Sequence, residues 1–141
     1  MQRVWMGVVV VWAVAVGASV HGQQAKTVWD GVYTAEQAAR GATLYEEQCA
    51  RCHGEALSGV EAAPPLTGDR FSSNWEGVAL SDLFERMRSS MPQDKPGSLS
   101  RAQNADLLAH MLNVGGFPAG NTSIDGQAGA LAQITFVTYR P

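Results

Sequence analysis

The feature that most constrains this chain is the pentapeptide Cys49-Ala50-Arg51-Cys52-His53. Two thiols three positions apart, followed at once by an imidazole, form the C-x-x-C-H pattern of covalent haem attachment. In an α-helix, positions i, i+3 and i+4 share one face, so Cys49, Cys52 and His53 can all reach one flat porphyrin. The sequence therefore predicts one covalently attached haem c, with the two cysteines bonded to the porphyrin and His53 coordinating the iron.

Other classes of protein fit the sequence poorly. A thioredoxin-like pair at Cys49 and Cys52 needs a βαβ context that the hydrophobic pattern does not provide. Nucleic acid is not an expected partner, because the formal net charge is −3 and the sequence has no run of basic residues interleaved with aromatic ones. The carboxylates show no pairing typical of acid–base catalysis.

The N-terminus has the composition of an export signal. The segment Met1-Gln2-Arg3 carries a positive charge and precedes an uncharged apolar run, residues 4–20. We expect residues 1–22 to be a cleaved signal peptide. The alternative is an uncleaved inner-membrane anchor formed by residues 4–20, a length near the lower limit of about 17 residues for a spanning helix. Both interpretations place the rest of the chain in the periplasm, where haem can be attached to thiols.

After this leader we expect an N-terminal arm (residues 23–33), an all-α domain (34–118) and a C-terminal tail (119–141). A domain of this length offers few residues for a protein-only core. We expect the buried haem to supply the missing apolar bulk and the apoprotein to fold poorly.

Three helices are predicted in the domain, the middle one short. Thr34 with Gln37 and Ser100 with Gln103 match capping boxes, which mark the start of the first and last helices. Gly41 lies inside the first helix, where it costs about 1 kcal/mol relative to alanine. We expect it to allow the close approach of another helix. The helices are predicted to begin at Thr34, Ser81 and Ser100 and to end at Gly54, before Pro92 and at Gly115-Gly116.

Between these helices the composition predicts loops. Residues 54–79 are rich in Gly, Pro and Ser and are expected to wrap the haem edge, and residues 93–99 form a second loop. In the tail, residues 125–132 favour a short helix and residues 134–137 an extended segment that packs on the domain.

The second iron ligand decides whether a haem protein transfers electrons or binds small molecules. Met87 and Met111 lie on the apolar sides of their predicted helices, which is typical of packing. His110 is expected mainly at the surface. Met91 follows the end of the middle helix, in a loop able to carry its thioether to the far face of the haem. We therefore predict His53 and Met91 as the two iron ligands.

These motifs resemble the class I cytochromes c over roughly residues 34–115. The resemblance implies the fold of that family: first and last helices that cross, a short middle helix and long loops around the haem. In that crossing, Gly41 is expected to contact Leu108 or Met111.

The same resemblance implies two further haem contacts. In the family, a proline in the loop after the attachment site offers its carbonyl to the histidine ring, and a neighbouring leucine packs on the haem. Pro65 and Leu66 fit those positions, with Pro64 as the alternative source of the carbonyl. Such a bond would orient His53 and tune its basicity.

A narrower resemblance is to the small cytochromes found beside, or fused to, periplasmic quinoprotein alcohol dehydrogenases. It implies an enzyme containing pyrroloquinoline quinone as the electron donor. Trp29 and Trp75 lie in these segments and are expected to be core aromatics, or to donate an indole N–H to a haem propionate. The similar segments are Val28–Thr34, Ala63–Leu66, Phe71–Trp75 and Met91–Ser100.

The sequence thus favours a periplasmic monohaem c-type cytochrome that is not itself an enzyme. It would carry single electrons from a dehydrogenase to a respiratory acceptor, either a terminal oxidase or another cytochrome. One alternative is a haem enzyme or gas sensor in which Met91 is a labile ligand. Another is a dedicated subunit of one dehydrogenase, docked through the tail from Gly120 onward.

Overall fold

A computed structural model describes residues 25–61 and 63–141. The predicted export signal at residues 1–22, and the alternative anchor at 4–20, lie outside the described residues. Within the described ranges, no helix has both the length and the apolar character needed to cross a membrane.

The described residues form six helices and one two-stranded parallel sheet. In chain order the elements are β1 (Lys26–Thr27), α1 (Ala35–Gln48), α2 (Ala50–His53), α3 (Gly68–Trp75), α4 (Leu80–Ser90), α5 (Arg101–Val114), α6 (Ala128–Leu131) and β2 (Ile134–Thr135). The predicted all-α class is confirmed, and α1 packs mainly against α5 as expected for crossing first and last helices.

The two predicted capping boxes form to different degrees. At α5 both bonds are present: the Gln103 N–H donates to Ser100 Oγ at 3.2 Å, and the Ser100 N–H donates to Gln103 Oε1 at 2.9 Å. At α1 the Gln37 N–H donates to the Thr34 hydroxyl at 3.2 Å. The reciprocal bond from the Gln37 side chain is replaced by a contact with the tail. Only one of the two predicted bonds of the capping box at Thr34 and Gln37 is therefore present.

The buried amide of Gln37 binds the tail through the backbone of Ile124. Its Nε2 donates to the Ile124 carbonyl at 2.8 Å, and its Oε1 accepts the Ile124 N–H at 2.8 Å. A buried amide needs such partners, because an unpaired polar group in the core costs about 1–3 kcal/mol. The side chain thus joins α1 to a segment 87 positions away along the chain.

The crossing of α1 and α5 depends on Gly41. A Cβ at this position would overlap the Asp106 carbonyl oxygen and lie 2.9 Å from His110 Cβ. The expected close approach is present, but its partners are Asp106 and His110. The prediction of Leu108 or Met111 was wrong, because those side chains lie on another side of α5, which is buried in the core.

Next to this contact, Arg40 and Asp106 join the same two helices. Arg40 Nε and Nη2 donate to the two Asp106 carboxylate oxygens at 3.0 and 2.8 Å. This two-bond geometry is the strong form of an arginine–carboxylate pair. It bridges α1 and α5 at the surface, beside the close contact at Gly41.

The predicted long loop at residues 54–79 contains a helix, α3, so that part of the prediction was wrong. Phe71 and Trp75 are four positions apart, with ring centroids at 6.2 Å, and Asp69 lies in the first turn, where a negative charge is favoured. These helix signals were masked by the high local content of Gly, Pro and Ser.

The tail folds back onto the domain as predicted. The short helix α6 falls within residues 125–132, and β2 falls within residues 134–137. Lys26 pairs with Ile134 and Thr27 with Thr135, so β1 and β2 form a parallel ladder. Phe136 is 1% exposed and joins the core.

Replacement of Gly41 by alanine tests the crossing. The added methyl group would force α1 and α5 apart, so we expect Gly41→Ala to lower the free energy of unfolding of the holoprotein by about 1–3 kcal/mol. Thermal or denaturant unfolding measures the change. Gly129→Ala is the matched control, because nothing lies within 4 Å of a Cβ there. An unchanged stability of Gly41→Ala would contradict the helix contact.

Candidate haem-binding site

The C-x-x-C-H motif lies within one helical turn at the end of α1. Cys49 follows α1 with φ −126° and ψ −38°, and α2 begins at the next residue. The Cys49 carbonyl accepts hydrogen bonds from the Cys52 and His53 N–H groups, both at 3.0 Å. This turn places the two thiols and the imidazole in one short segment, with Cys49 half-buried and Cys52 exposed.

The imidazole of His53 is buried and held in one orientation. Its Nδ1 lies 2.8 Å from the carbonyl oxygen of Pro64. A carbonyl can only accept, so Nδ1 carries the proton and donates, and Nε2 keeps the lone pair that binds a metal. The sequence favoured Pro65 as the source of this carbonyl, with Pro64 as the alternative; Pro64 supplies it, so the choice of Pro65 was wrong. Pro65 is the next residue in the loop.

The loop that carries Pro64 is tightly closed. The Gly59 N–H donates to the His53 carbonyl at 2.8 Å, and the Leu66 N–H donates to the Leu57 carbonyl at 2.8 Å. A Cβ at Gly59 would lie 2.7 Å from the backbone nitrogen of Pro65, so only glycine fits there. The loop therefore fixes the acceptor for His53.

Leu57 has an unusual backbone conformation in this loop. Its φ is +58°, a left-handed value that costs a residue with a Cβ roughly 1–2 kcal/mol. Its side chain is 1% exposed, and burial of a leucine contributes about 1.5–3 kcal/mol. Burial of the side chain offsets the strain, so the tight loop is maintained.

The electrostatics of the cysteines disfavour a redox-active pair. Burial raises the pKa of the Cys49 thiol to about 11, and the neighbouring Cys52 adds to the shift. Reactive cysteines of thioredoxin-like proteins have lowered pKa values, because the thiolate is the nucleophile. A thiol that stays protonated at neutral pH fits a structural attachment point better than a catalytic one.

An apolar cleft between α3, α4 and α5 lies beside this loop. Leu66, two residues after the His53 acceptor, forms part of its lining. The lining is mostly aliphatic and aromatic: Leu66, Thr67, Phe71, Ser72, Leu83, Leu108, Met111, Leu112, Gly115, Phe117 and Phe136. The fit to a haem rests instead on the attachment turn, where two unpaired thiols and an imidazole with an unprotonated Nε2 lie in one short segment. These donors are the ones that covalent haem attachment requires.

Met91 ends α4, and its loop lies close to the attachment turn. The Met91 N–H donates to the Met87 carbonyl at 2.9 Å, and its side chain is half-buried. Three residues later, Asp94 pairs with Arg51 of the C-x-x-C-H motif at 3.2 Å. Both side chains are more than half exposed, so this pair contributes no more than about 1 kcal/mol. It nevertheless brings the Met91 loop and the attachment turn together.

The other candidate ligands have different surroundings. Met111 is buried and lines the cleft, and Met87 packs against the core. His110 is half-buried at the α1–α5 crossing, where its ring centroid lies 5.3 Å from that of Tyr45. The expectation that His110 is mainly a surface residue was therefore wrong.

The two tryptophans pack against other aromatic rings. The Trp29 indole N–H donates to the Val137 carbonyl at 3.0 Å, so that group is used within the protein rather than offered to a propionate. Its ring makes an edge contact with Phe117 at 4.9 Å. Trp75 packs against Phe71. Both side chains are partly buried and pack against the core. This agrees with packing as the expected role of Trp29; for Trp75 the alternative of donation to a propionate stays a prediction.

Three phenylalanines of the cleft were not identified from the sequence. Phe71 lies in the missed helix α3, and its spacing to Trp75 was the available signal. Phe117 follows the predicted end of the domain's last helix, and Phe136 lies in the predicted extended segment of the tail; such short segments carry no helical periodicity.

Burial lowers the pKa of His110, although nearby Glu46 opposes the shift. As the pH falls through about 6.5, His110 is therefore protonated to a smaller extent in the folded protein than in the unfolded chain. Protonation then favours the unfolded chain, so the free energy of unfolding decreases. We expect His110→Gln to make the decrease in unfolding free energy between about pH 7.5 and about pH 5.5 less steep.

Denaturant unfolding of both proteins at each pH measures this difference. Comparing how steeply the unfolding free energy of each protein changes with pH removes any pH-independent effect of the substitution. An identical pH dependence in the two proteins would contradict the lowered pKa.

Comparisons with known proteins find a matching family and similar chains. The family described as cytochrome c oxidase, cbb3-type, subunit III matches residues 36–111. The thiosulfate dehydrogenase of Stutzerimonas stutzeri (strain A1501) is 38% identical over 81 residues, which cover 52% of this chain and 26% of that protein. The chain thus matches about a quarter of the length of this relative.

A solved structure shows a similar fold. The crystal structure of the sulfane dehydrogenase SoxCD from Paracoccus pantotrophus aligns with a TM-score of 0.53 at 20% sequence identity. The alignment covers 76% of this chain and 61% of the SoxCD chain. At this identity the similarity concerns the fold alone.

Proposed function

Because the chain belongs to the family of cytochrome c oxidase, cbb3-type, subunit III, and is a class I c-type cytochrome with covalently bound haem c, we propose that it carries single electrons between a dehydrogenase and a respiratory acceptor. Bound haem supplies an iron that alternates between the ferric and ferrous states, so one electron moves without a substrate bond being made or broken. The observation that carries this proposal is the 2.8 Å contact between His53 Nδ1 and the Pro64 carbonyl.

That hydrogen bond prepares His53 for its role. It fixes the tautomer and the ring orientation, so that Nε2 is available as the axial ligand. Cys49 and Cys52 hold the porphyrin within the same helical turn. Because Cys52 is exposed, the attachment turn reaches the protein surface, where a redox partner can approach it.

Met91 is proposed as the second axial ligand. A thioether is a soft ligand that favours ferrous iron and raises the reduction potential. If His53 and Met91 both bound the iron, oxygen and peroxide would have no coordination site, which would favour electron transfer over catalysis. The pairing of Arg51 with Asp94 supports this assignment by placing the Met91 loop near the attachment turn.

A dehydrogenase is the proposed donor. The partial match to a thiosulfate dehydrogenase supports this class, and the resemblance to cytochromes associated with quinoprotein alcohol dehydrogenases supports the same role for a different substrate. A terminal oxidase or another cytochrome is the proposed acceptor, and the periplasm the proposed compartment. We expect short-lived contacts that bury less than about 1,200 Å² in total.

Replacement of Met91 tests the ligand set. We expect Met91→Ala holoprotein to lose the methionine–ferric charge-transfer absorption and to bind carbon monoxide in the ferrous state, because the sixth position becomes open. Met87→Leu is the matched control, since it removes a nearby thioether from the packing and should preserve the absorption. Ready binding of carbon monoxide by the unsubstituted protein would instead support a gas sensor or a haem enzyme.

A reduction assay tests the carrier role. We expect the holoprotein to accept one electron when a periplasmic dehydrogenase and its substrate are both present, and none from the substrate alone. Two suitable pairs are a quinoprotein alcohol dehydrogenase with its alcohol and a thiosulfate dehydrogenase with thiosulfate. Reduction of the haem is measured from its absorbance. If thiosulfate or the alcohol alone reduced the protein catalytically, the chain would be an enzyme rather than a carrier.

A further inference from the structure

Tyr45 makes a hydrogen bond at each end of the C-x-x-C-H pentapeptide. Its backbone carbonyl accepts the Cys49 N–H at 2.9 Å, and its hydroxyl donates to the Gly54 carbonyl at 2.7 Å. Cys49 is the first residue of the pentapeptide, and Gly54 follows its last residue, His53. The first bond continues the helix, whereas the second depends on the side chain. One residue of α1 thus holds both ends of the attachment turn.

The side chain of Tyr45 has little freedom to move. It is 2% exposed, and its ring centroid lies 5.3 Å from that of His110 at the α1–α5 crossing. A buried hydroxyl without a partner is costly, which favours the arrangement in which it is bonded to Gly54. The helix crossing therefore holds the ring, and the hydroxyl on that ring holds the Gly54 carbonyl.

Gly54 begins the loop that carries the hydrogen-bond acceptor for His53. Its φ is +78°, a conformation that favours glycine. Its carbonyl also accepts the Leu57 N–H at 3.2 Å, and the Leu57 carbonyl accepts the Leu66 N–H at 2.8 Å. Pro64, whose carbonyl lies 2.8 Å from His53 Nδ1, lies between these two bonded positions in the chain. A continuous set of hydrogen bonds therefore runs from the tyrosine hydroxyl to the closed loop.

We propose that the Tyr45 hydroxyl is a positioning group for the iron ligand His53. By holding the Gly54 carbonyl, it fixes the start of the loop and keeps the Pro64 carbonyl at hydrogen-bond distance from the imidazole. A hydrogen bond donated by the second ring nitrogen makes a histidine ligand more basic, and a more basic ligand stabilises ferric iron relative to ferrous iron. Tyr45 thereby lowers the reduction potential. This inference rests on the proposed function, because it requires that His53 binds the iron.

Replacement of Tyr45 by phenylalanine removes the hydroxyl and keeps the ring with its contact to His110. We expect the bond between His53 and Pro64 to weaken, so that the ratio of ferric to ferrous haem at a fixed solution potential falls about threefold. For a one-electron couple this is a rise in potential of about 28 mV, since a tenfold change corresponds to about 59 mV. A spectroscopic redox titration of the Tyr45→Phe and unsubstituted holoproteins measures the change.

Tyr33→Phe is the matched control. The Tyr33 hydroxyl is also buried and donates to a backbone carbonyl, that of Phe117, at 2.6 Å, but this bond lies outside the attachment turn and its loop. We expect Tyr33→Phe to leave the potential unchanged, even where it lowers the free energy of unfolding. An unchanged or lower potential in Tyr45→Phe overturns the inference. An equal rise in both variants also overturns it, because the potential would then follow a general loss of stability.

A second measurement follows the His53 ring directly. We expect its Nδ1 proton to exchange with solvent about fivefold faster in ferrous Tyr45→Phe holoprotein, and at an unchanged rate in Tyr33→Phe, because a bond that keeps the loop closed is lost. NMR measures the exchange, and an unchanged rate in Tyr45→Phe overturns the inference. Failure of the proposed function is visible separately: if His53 did not bind the iron, its ring protons in the unsubstituted holoprotein would lack the shifts caused by the porphyrin ring current.

Discussion

The contact between α1 and α5 at Gly41 is the constraint on which the rest of the molecule depends. It brings the backbone of α1 against the Asp106 carbonyl, and the Arg40–Asp106 pair beside it joins the same two helices. Because the attachment turn is the continuation of α1, this contact also determines where Cys49 and His53 lie. The apolar face of α5 that borders the cleft is positioned by the same crossing.

The two loops of the candidate haem-binding site are held to different degrees. His53 is fixed by a closed loop in which Gly59 and the left-handed Leu57 allow the Pro64 carbonyl to reach the imidazole. The segment after Met91, in contrast, contacts the attachment turn through the Arg51–Asp94 pair, whose side chains are both more than half exposed. If His53 coordinates the iron as proposed, its hydrogen bond to Pro64 bears directly on the reduction potential, because hydrogen bonds to a ligand tune the metal.

Local signals in the sequence predicted the features that depend on neighbouring residues. The C-x-x-C-H motif, the Ser100 capping box and the need for a close approach at Gly41 are of this kind. Features that depend on contacts between residues far apart in the sequence were not predicted. Gln37 has the sequence of a capping residue, but its amide binds Ile124, 87 positions away. The cleft-lining role of Phe136 likewise follows from tertiary packing, which no spacing in a short extended segment reveals.

The protonation of Cys49 has a consequence for the biogenesis of this protein. In the folded chain its thiol is half-buried and has a pKa of about 11, so it is both shielded and weakly nucleophilic. An assembly enzyme would find such a sulfur difficult to reach once the helices have packed. We therefore expect this sulfur to react more readily with a porphyrin before the helices pack than after.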